Sequence, residues 1–224
     1  MSLYLSRLTL NVDAPSRALI PLLNPSDKEL AADSHHRLIW SLFSDSVTRT
    51  RDFLWRYDGG RRFFALSARP PRESDLFLPA ETKLFEPKLK SGDQLKYVLR
   101  TNATRTRKQS DGSRLRVDVV MDRLHGIKTI ERAAKRQKAA QEAADIWIRR
   151  QGERCGFRPL ETLVEGYRTL DLKRRSRQSA TLGILDLSGK IEVVDPAAYL
   201  PAMVQGFGRA KAWGCGLMLI RRVK

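Results

Sequence analysis

The sequence predicts an α+β fold of two tandem ferredoxin-like (RRM-like) domains, residues 1–90 and 91–224. Three observations predict it. Apolar alternation, helical periodicity and turn residues follow the order strand, helix, hairpin, helix, strand in the first half. A similar order recurs after residue 91. Each half also carries a hairpin signal, and the first of these is strong because Asp58–Gly59–Gly60 tolerates the positive φ of a tight turn.

Taken in chain order, LYLSRLTLNV (3–12) alternates as a strand, with a phase slip near Ser6–Arg7. A Pro-punctuated connection, 14–32, follows. A helix is expected from Asp33, with Asp33 or Ser34 as N-cap and Leu38, Ile39, Leu42 and Phe43 at helical spacing. RDFLWRY (51–57) and RRFFALSA (61–68) form the hairpin around Asp-Gly-Gly. ESDLFLPAETK (73–83) is assigned a short helix, and KLFEP (83–87) begins a closing strand.

In the second half GDQLKYVLRTN (92–102) is a strand, and a polar stretch rich in Arg and Gly comes after it. Residues 130–150 make an Ala-rich helix with basic faces. Residues 162–172 and 179–195 form a long hairpin whose tip is KRRSRQ. A helix from Pro196 to Val204 and the strand GLMLIRRV (216–223) complete the repeat; Pro196 suits a first helical turn.

Charge narrows the function. Forty-two Lys and Arg stand against 25 Asp and Glu in 224 residues, a formal net charge of +17. The excess is uneven: residues 1–90 hold 14 basic and 11 acidic residues, whereas residues 91–224 hold 28 and 14. Such a field attracts polyanions, and phosphate neutralisation supplies most non-specific nucleic-acid affinity. No apolar run reaches the roughly 20 residues of a membrane span, and the N-terminus reads as a strand instead of a signal peptide. Two distant cysteines, Cys155 and Cys215, fit a reducing cytoplasm.

Three constellations could carry chemistry. His35 and His36 are adjacent on the first helix, His35 beside Leu38, Ile39 and Leu42, His36 beside Ile39, Trp40 and Phe43. Spacing does not separate them: either can transfer protons or simply pack. Zinc is disfavoured, because adjacent helical side chains diverge by about 100° and no third ligand lies at zinc spacing. His125 reads as a solvated loop residue. The second constellation is GFGRAKAWGCGLMLI (206–220), in which Gly206, Gly208, Gly214 and Gly216 surround Arg209 and Lys211. That loop can approach a phosphate or a packed helix, but it matches neither a Walker P-loop nor a dinucleotide fingerprint. The third is the hairpin tip with Lys173, Arg174, Arg175 and Arg177, whose mutual repulsion an RNA backbone would relieve.

The chain resembles the CasE-type CRISPR repeat endoribonucleases, the crRNA-processing subunit of subtype I-E Cascade. LYLSRLTLN, HRLIWSLF, RDFLW…ALSA, YVLRTNATRTRK and GFGRAKAWGCGLMLI carry the resemblance in order over nearly the whole length. G-x-G-x-A-K-x-x-G-C-G-L is its most specific element. The resemblance selects His36 over His35 as the catalytic histidine, with Trp40, Leu42 and Phe43 behind it, and Arg37 as a residue set against the scissile phosphate. Some relatives carry a Tyr three residues before the histidine; here Asp33 stands there.

The implied activity is cofactor-free, metal-independent cleavage of a CRISPR repeat stem-loop RNA. The ribose 2′-OH attacks the adjacent phosphate, the 5′-oxygen leaves, and a 2′,3′-cyclic phosphate remains; His36 is the base or the acid. Besides the hairpin tip, Arg100, Arg105, Arg107 and Lys108 are expected RNA contacts. The family implies retention of the crRNA hairpin and partnership with other Cascade subunits, in the cytoplasm and without a membrane. A competing reading is a non-catalytic structured-RNA-binding protein with tandem RRM-like domains, although no RNP1-type aromatic strand is present.

Overall fold

The computed structural model describes residues 2–13, 17–46, 48–172 and 180–223. Each half builds a four-stranded antiparallel sheet. The first contains β1 (Tyr4–Thr9), β2 (Phe53–Gly59), β3 (Arg62–Ser67) and β4 (Glu81–Leu84), in the order β2-β3-β1-β4. The second contains β5 (Gln94–Thr101), β8 (Phe157–Leu172), β9 (Ala180–Val193) and β10 (Met218–Arg222), in the order β10-β5-β9-β8. Both sheets place the first strand between the third and the fourth, so the chain is two ferredoxin-like domains in tandem.

A short helix α1 (Ile20–Leu23) precedes α2 (Lys28–Phe43), which lies across the first sheet. Leu38, Ile39, Leu42 and Phe43 of α2 meet Leu8, Leu10, Phe53, Trp55, Phe63 and Ala65 of the strands. The phase slip in β1 is no bulge, because Tyr4 to Thr9 pair with β3 in unbroken register. Leu8 and Leu10 face α2, while Leu3 and Leu5 join Leu54, Leu66 and Leu217 on the opposite face, against the second half. Two-sided burial makes the strand read out of phase.

Three expectations need correction. Helix α2 starts at Lys28 with Asp27 as N-cap, so Asp33 and Ser34 lie inside it. ESDLFLPAETK forms no helix: Asn11 N–H donates to the Leu76 carbonyl at 2.9 Å and Leu78 N–H to that of Thr9 at 2.9 Å, which extends the edge of β1 and leads into β4. The polar stretch after β5 is a two-stranded hairpin, β6 (Thr104–Lys108) and β7 (Arg114–Asp118), followed by the short helix α3 (Val119–Arg123).

The second sheet is covered by α4 (Thr129–Cys155) and α5 (Pro196–Gln205). Ala139, Ala140, Ala143 and Ala144 form the buried stripe of α4, with Trp147 and Ile148 one turn further on. Small side chains let this long helix sit close to Leu95, Leu99, Leu185 and Leu187. Among the described residues no helix is long and apolar enough to cross a membrane.

Candidate active site

The site begins with a helix cap. Asp27 Oδ1 accepts from the N–H groups of Glu29 and Leu30, each at 2.9 Å, which satisfies two free donors and fixes where α2 begins. From that start the two histidines emerge on different sides of the helix.

His35 turns into the core and is 5% exposed. Its Nε2–H donates to Asn24 Oδ1 at 2.9 Å. Its ring lies 4.5 Å from Tyr57 and edge-on to Phe63 at 4.9 Å. Burial, with the nearby Arg100 charge, lowers its pKa to about 4, so it is neutral at pH 7.

His36 is half-buried and points toward the second half of the chain. Its Nδ1 lies 2.8 Å from the carbonyl oxygen of Ala212. A carbonyl only accepts, so Nδ1–H is the donor, and the neutral tautomer this bond selects carries its lone pair on Nε2. Nε2 makes no hydrogen bond to a described residue. Trp40 and Trp213 flank the ring at centroid distances of 6.1 and 5.4 Å.

The carbonyl is held by a rigid turn. Residues Lys211–Trp213 form one 3₁₀ turn, bracketed by Ala210 (φ 53°) and Gly214 (φ 72°), both left-handed. Gly214 needs its missing side chain, since a Cβ there would lie 3.0 Å from Trp55 Cζ3. The loop is clamped to the end of β5: Thr101 Oγ1 donates to the Phe207 carbonyl at 2.9 Å, Arg209 N–H to that of Asn102 at 3.0 Å, and Gly216 N–H to that of Arg100 at 2.7 Å. Gly208 sits so close to Thr101 that a Cβ would meet Oγ1 at 2.1 Å. The glycines of 206–216 thus serve close packing of the loop on the LRTN strand end, and the loop presents Ala212 to His36.

Cations gather on one flank of this turn. A cleft of about 590 Å³ is lined by Arg105, Arg116, Arg154, Arg209 and Lys211, with no carboxylate among its lining residues. Burial, aided by Arg51, Arg154 and Arg209, holds the Lys211 ammonium below its usual pKa. Arg105 is paired with Asp122, and the other cations of the cleft have no carboxylate partner among the described residues, so the cluster is suited to an anionic ligand.

The other expected residues are placed as follows. Arg37 is exposed, and its guanidinium pairs with Asp33 at 2.8 Å across one helical turn. Asp33, where some relatives of the resembled family carry Tyr, is therefore the partner of Arg37. Arg100 is committed inward: it binds Asp186 through Nε at 2.7 Å and Nη2 at 3.1 Å, and the Tyr57 carbonyl through Nη1 at 3.1 Å. It ties β5 and β9 to β2. Arg105 and Arg107 sit on β6 and share the carboxylate of Asp122, while Lys108 is exposed at the strand's end. Lys173, Arg174, Arg175 and Arg177 lie outside the described residues.

Sequence reasoning passed over Ala212, Trp213, Arg51 and Arg154. A backbone carbonyl leaves no trace in sequence, and the two arginines were two among many. Both cysteines are free and buried, and burial pushes the Cys215 thiol up to about 12. Among the described residues no three His, Cys, Asp or Glu side chains are clustered to hold a metal ion.

A family profile described as CRISPR associated protein matches residues 3–222. The chain belongs to that family. It is 27% identical, over 245 aligned positions covering 97% of this chain and 99% of the relative, to the CRISPR-associated endoribonuclease Cse3 of Thermus thermophilus. The structure of Thermus thermophilus Cse3 bound to an RNA representing a pre-cleavage complex is similar with a TM-score of 0.67 and 23% identity, over 99% of this chain and 100% of that one. The crystal structure of Cas6e from Escherichia coli K-12 gives a TM-score of 0.63 at 23% identity, over 98% and 100%. These structural likenesses support the tandem ferredoxin-like fold of this CRISPR-associated chain.

Proposed function

We propose that this CRISPR-associated chain is an endoribonuclease that cleaves the stem-loop of CRISPR repeat RNA and retains the product hairpin as a Cascade subunit. The observation that carries the reading is the bond from His36 Nδ1–H to the Ala212 carbonyl, which leaves the opposite nitrogen free of described partners, on a turn whose neighbouring Lys211 lines a basic cleft. A base-form imidazole oriented this way can take the proton of a ribose 2′-OH; a protonated one can deliver a proton to the leaving 5′-oxygen. The 2′-oxygen attacks phosphorus, the P–O5′ bond breaks, and the product strand ends in a 2′,3′-cyclic phosphate.

Lys211, one residue before Ala212, would be the nearest cation in sequence to stabilise the phosphorane, and Arg37 would join it on releasing Asp33. The chemistry needs no metal ion when imidazole and cations supply the proton transfer and the charge. RNA would be held by Arg105, Arg107 and Lys108 of the β6–β7 hairpin, by Arg209 in the glycine-rich loop, and by Lys173, Arg174, Arg175 and Arg177. Arg100 acts from inside by fixing the two halves through Asp186 and Tyr57. The names of the relatives, an endoribonuclease and an RNA-bound homologue, point the same way.

The test is cleavage of the cognate repeat hairpin in EDTA by wild type, His36→Ala and His35→Ala, with a second substrate carrying 2′-deoxyribose at the cut. Wild type and His35→Ala should cut, and the deoxy substitution should block both. His36→Ala should lose about 10²–10⁴ in rate and keep its affinity. A wild type that binds tightly and cuts nothing would leave a hairpin-capping subunit in place of an enzyme.

A further inference from the structure

The Lys211–Trp213 turn has a second flank. Where Lys211 faces the basic cleft, Trp213 lines a separate cavity of about 520 Å³ between the two halves. The cavity is within the range of about 300–1,000 Å³ usual for small-molecule sites. We propose that it receives the unstacked base of one nucleotide flanking the scissile linkage, an inference that rests on the proposed ribonuclease reading.

Its walls are aromatic from three separate elements: His35 of α2, Trp55 and Tyr57 of β2, and Trp213 of the turn. Flat rings on several sides suit a nucleobase, which any π-face can stack. The charged lining is Lys28, Arg100 and Arg168, and the last two are partly neutralised. The imidazole of His35 is neutral, because burial holds its pKa near 4. Arg100 and Arg168, the cations on the far wall, share the carboxylate of Asp186, at 2.7 and 2.9 Å. The Arg168 side chain, 37% exposed, keeps donors free for the hydrogen-bonding edge of a base.

Position links the cavity to the chemistry. Trp213 lines it and also lies 5.4 Å from the ring of His36, so a base stacked there belongs to a nucleotide next to the one His36 acts on. The three consecutive residues then divide the labour. Lys211 faces the backbone phosphates, Ala212 orients the imidazole, and Trp213 stops the base. Pulling one nucleotide out of the stack would splay the strand at the cut, and an in-line approach of the 2′-oxygen requires that departure from helical geometry.

The experiment fills the cavity. Ala31 lines it from the part-exposed side of α2, so Ala31→Trp adds an indole without removing a contact of His36. Tyr57→Leu, which strips one stacking wall, is the second variant in case the first folds poorly; thermal melts select the folded proteins. Each is assayed for single-turnover cleavage of the repeat hairpin, and for affinity toward the same hairpin made uncleavable by 2′-deoxyribose. Both substrates are also made abasic at either nucleotide flanking the cut, and with 2-aminopurine at those positions.

Loss of stacking should weaken intact RNA by roughly 5- to 100-fold. On RNA abasic at one of the two positions, variant and wild type should become equal. Wild type should quench 2-aminopurine at that position, and Ala31→Trp should not. Folded variants with unchanged rate and affinity, or an equal loss on abasic RNA, would overturn the inference. If wild type binds but does not cut, the ribonuclease reading fails, and the affinity and quenching arms still decide whether a base enters the cavity.

Discussion

The Nδ1–H of His36 donates to the carbonyl of Ala212 at 2.8 Å, across 176 residues of sequence. One partner rides on the helix of the first half and the other on the glycine-rich turn of the second. The geometry of the proposed catalyst therefore depends on a main-chain oxygen contributed by the other half of the chain.

Gly214→Ala tests that dependence. The residue holds φ at 72°, and an added Cβ would press on Trp55 Cζ3 at 3.0 Å. The left-handed backbone alone costs roughly 1–2 kcal/mol for an L-residue. The turn must shift, and Ala212 with it. A displacement of about 1 Å can slow a positioned reaction on the order of 100-fold. The expected result is a folded protein whose single-turnover cleavage falls roughly 10- to 100-fold while hairpin affinity changes little. An equal drop in rate and affinity would assign the turn to RNA binding alone.

The start of α2 gives a second prediction. Asp27→Ala removes the acceptor for two backbone donors and should cost about 1 kcal/mol in urea melts. Asp33→Ala removes only a surface pair with Arg37, whose side chains are 48% and 74% exposed, and should cost about 0.5 kcal/mol or less. The reverse ranking would return the helix start to Asp33.

Acid stability isolates His35. Its pKa is about 4 in the folded protein against an ordinary 6.5, so the unfolded chain binds the additional proton between those values. Stability from the neutral ring is complete above about pH 6.5 and is lost as pH falls toward 4. The full loss is on the order of 3 kcal/mol. Wild type should lose Tm steadily over that window, and His35→Leu, lower at pH 7, should show a flatter profile. Parallel profiles would mean that the acid sensitivity arises elsewhere.

These residues also mark what the sequence could reveal. The Asp-Gly-Gly turn, the long β8–β9 hairpin and the Ala stripe of α4 were legible, because turn chemistry and one-sided burial write strong periodic patterns. The start of α2 was missed because Asp27 stands in a polar, Pro-punctuated run where no apolar period has begun. The β6–β7 hairpin was missed for a different reason: none of its strand residues is buried, β6 carries no apolar side chain, and the alternation of β7 is limited to Leu115 and Val117 among charges. ESDLFLPAETK misled because a short apolar Leu-Phe-Leu run does not distinguish helix from strand, and here only Phe77 is buried, by bridging to Leu10 along a sheet edge. At the site, the resemblance picked out His36, and residue spacing alone did not distinguish it from His35. Its orienting partner is a main-chain oxygen, for which no residue type is diagnostic.

One consequence of the His36–Ala212 contact concerns heredity. An imidazole on one domain that takes its orientation from the other cannot be transmitted by either domain alone. A recombination event joining the first half of one such protein to the second half of a cousin would keep every side chain needed for activity and still lose the alignment between them. Change in this lineage must pass through the seam in small, mutually adjusted steps.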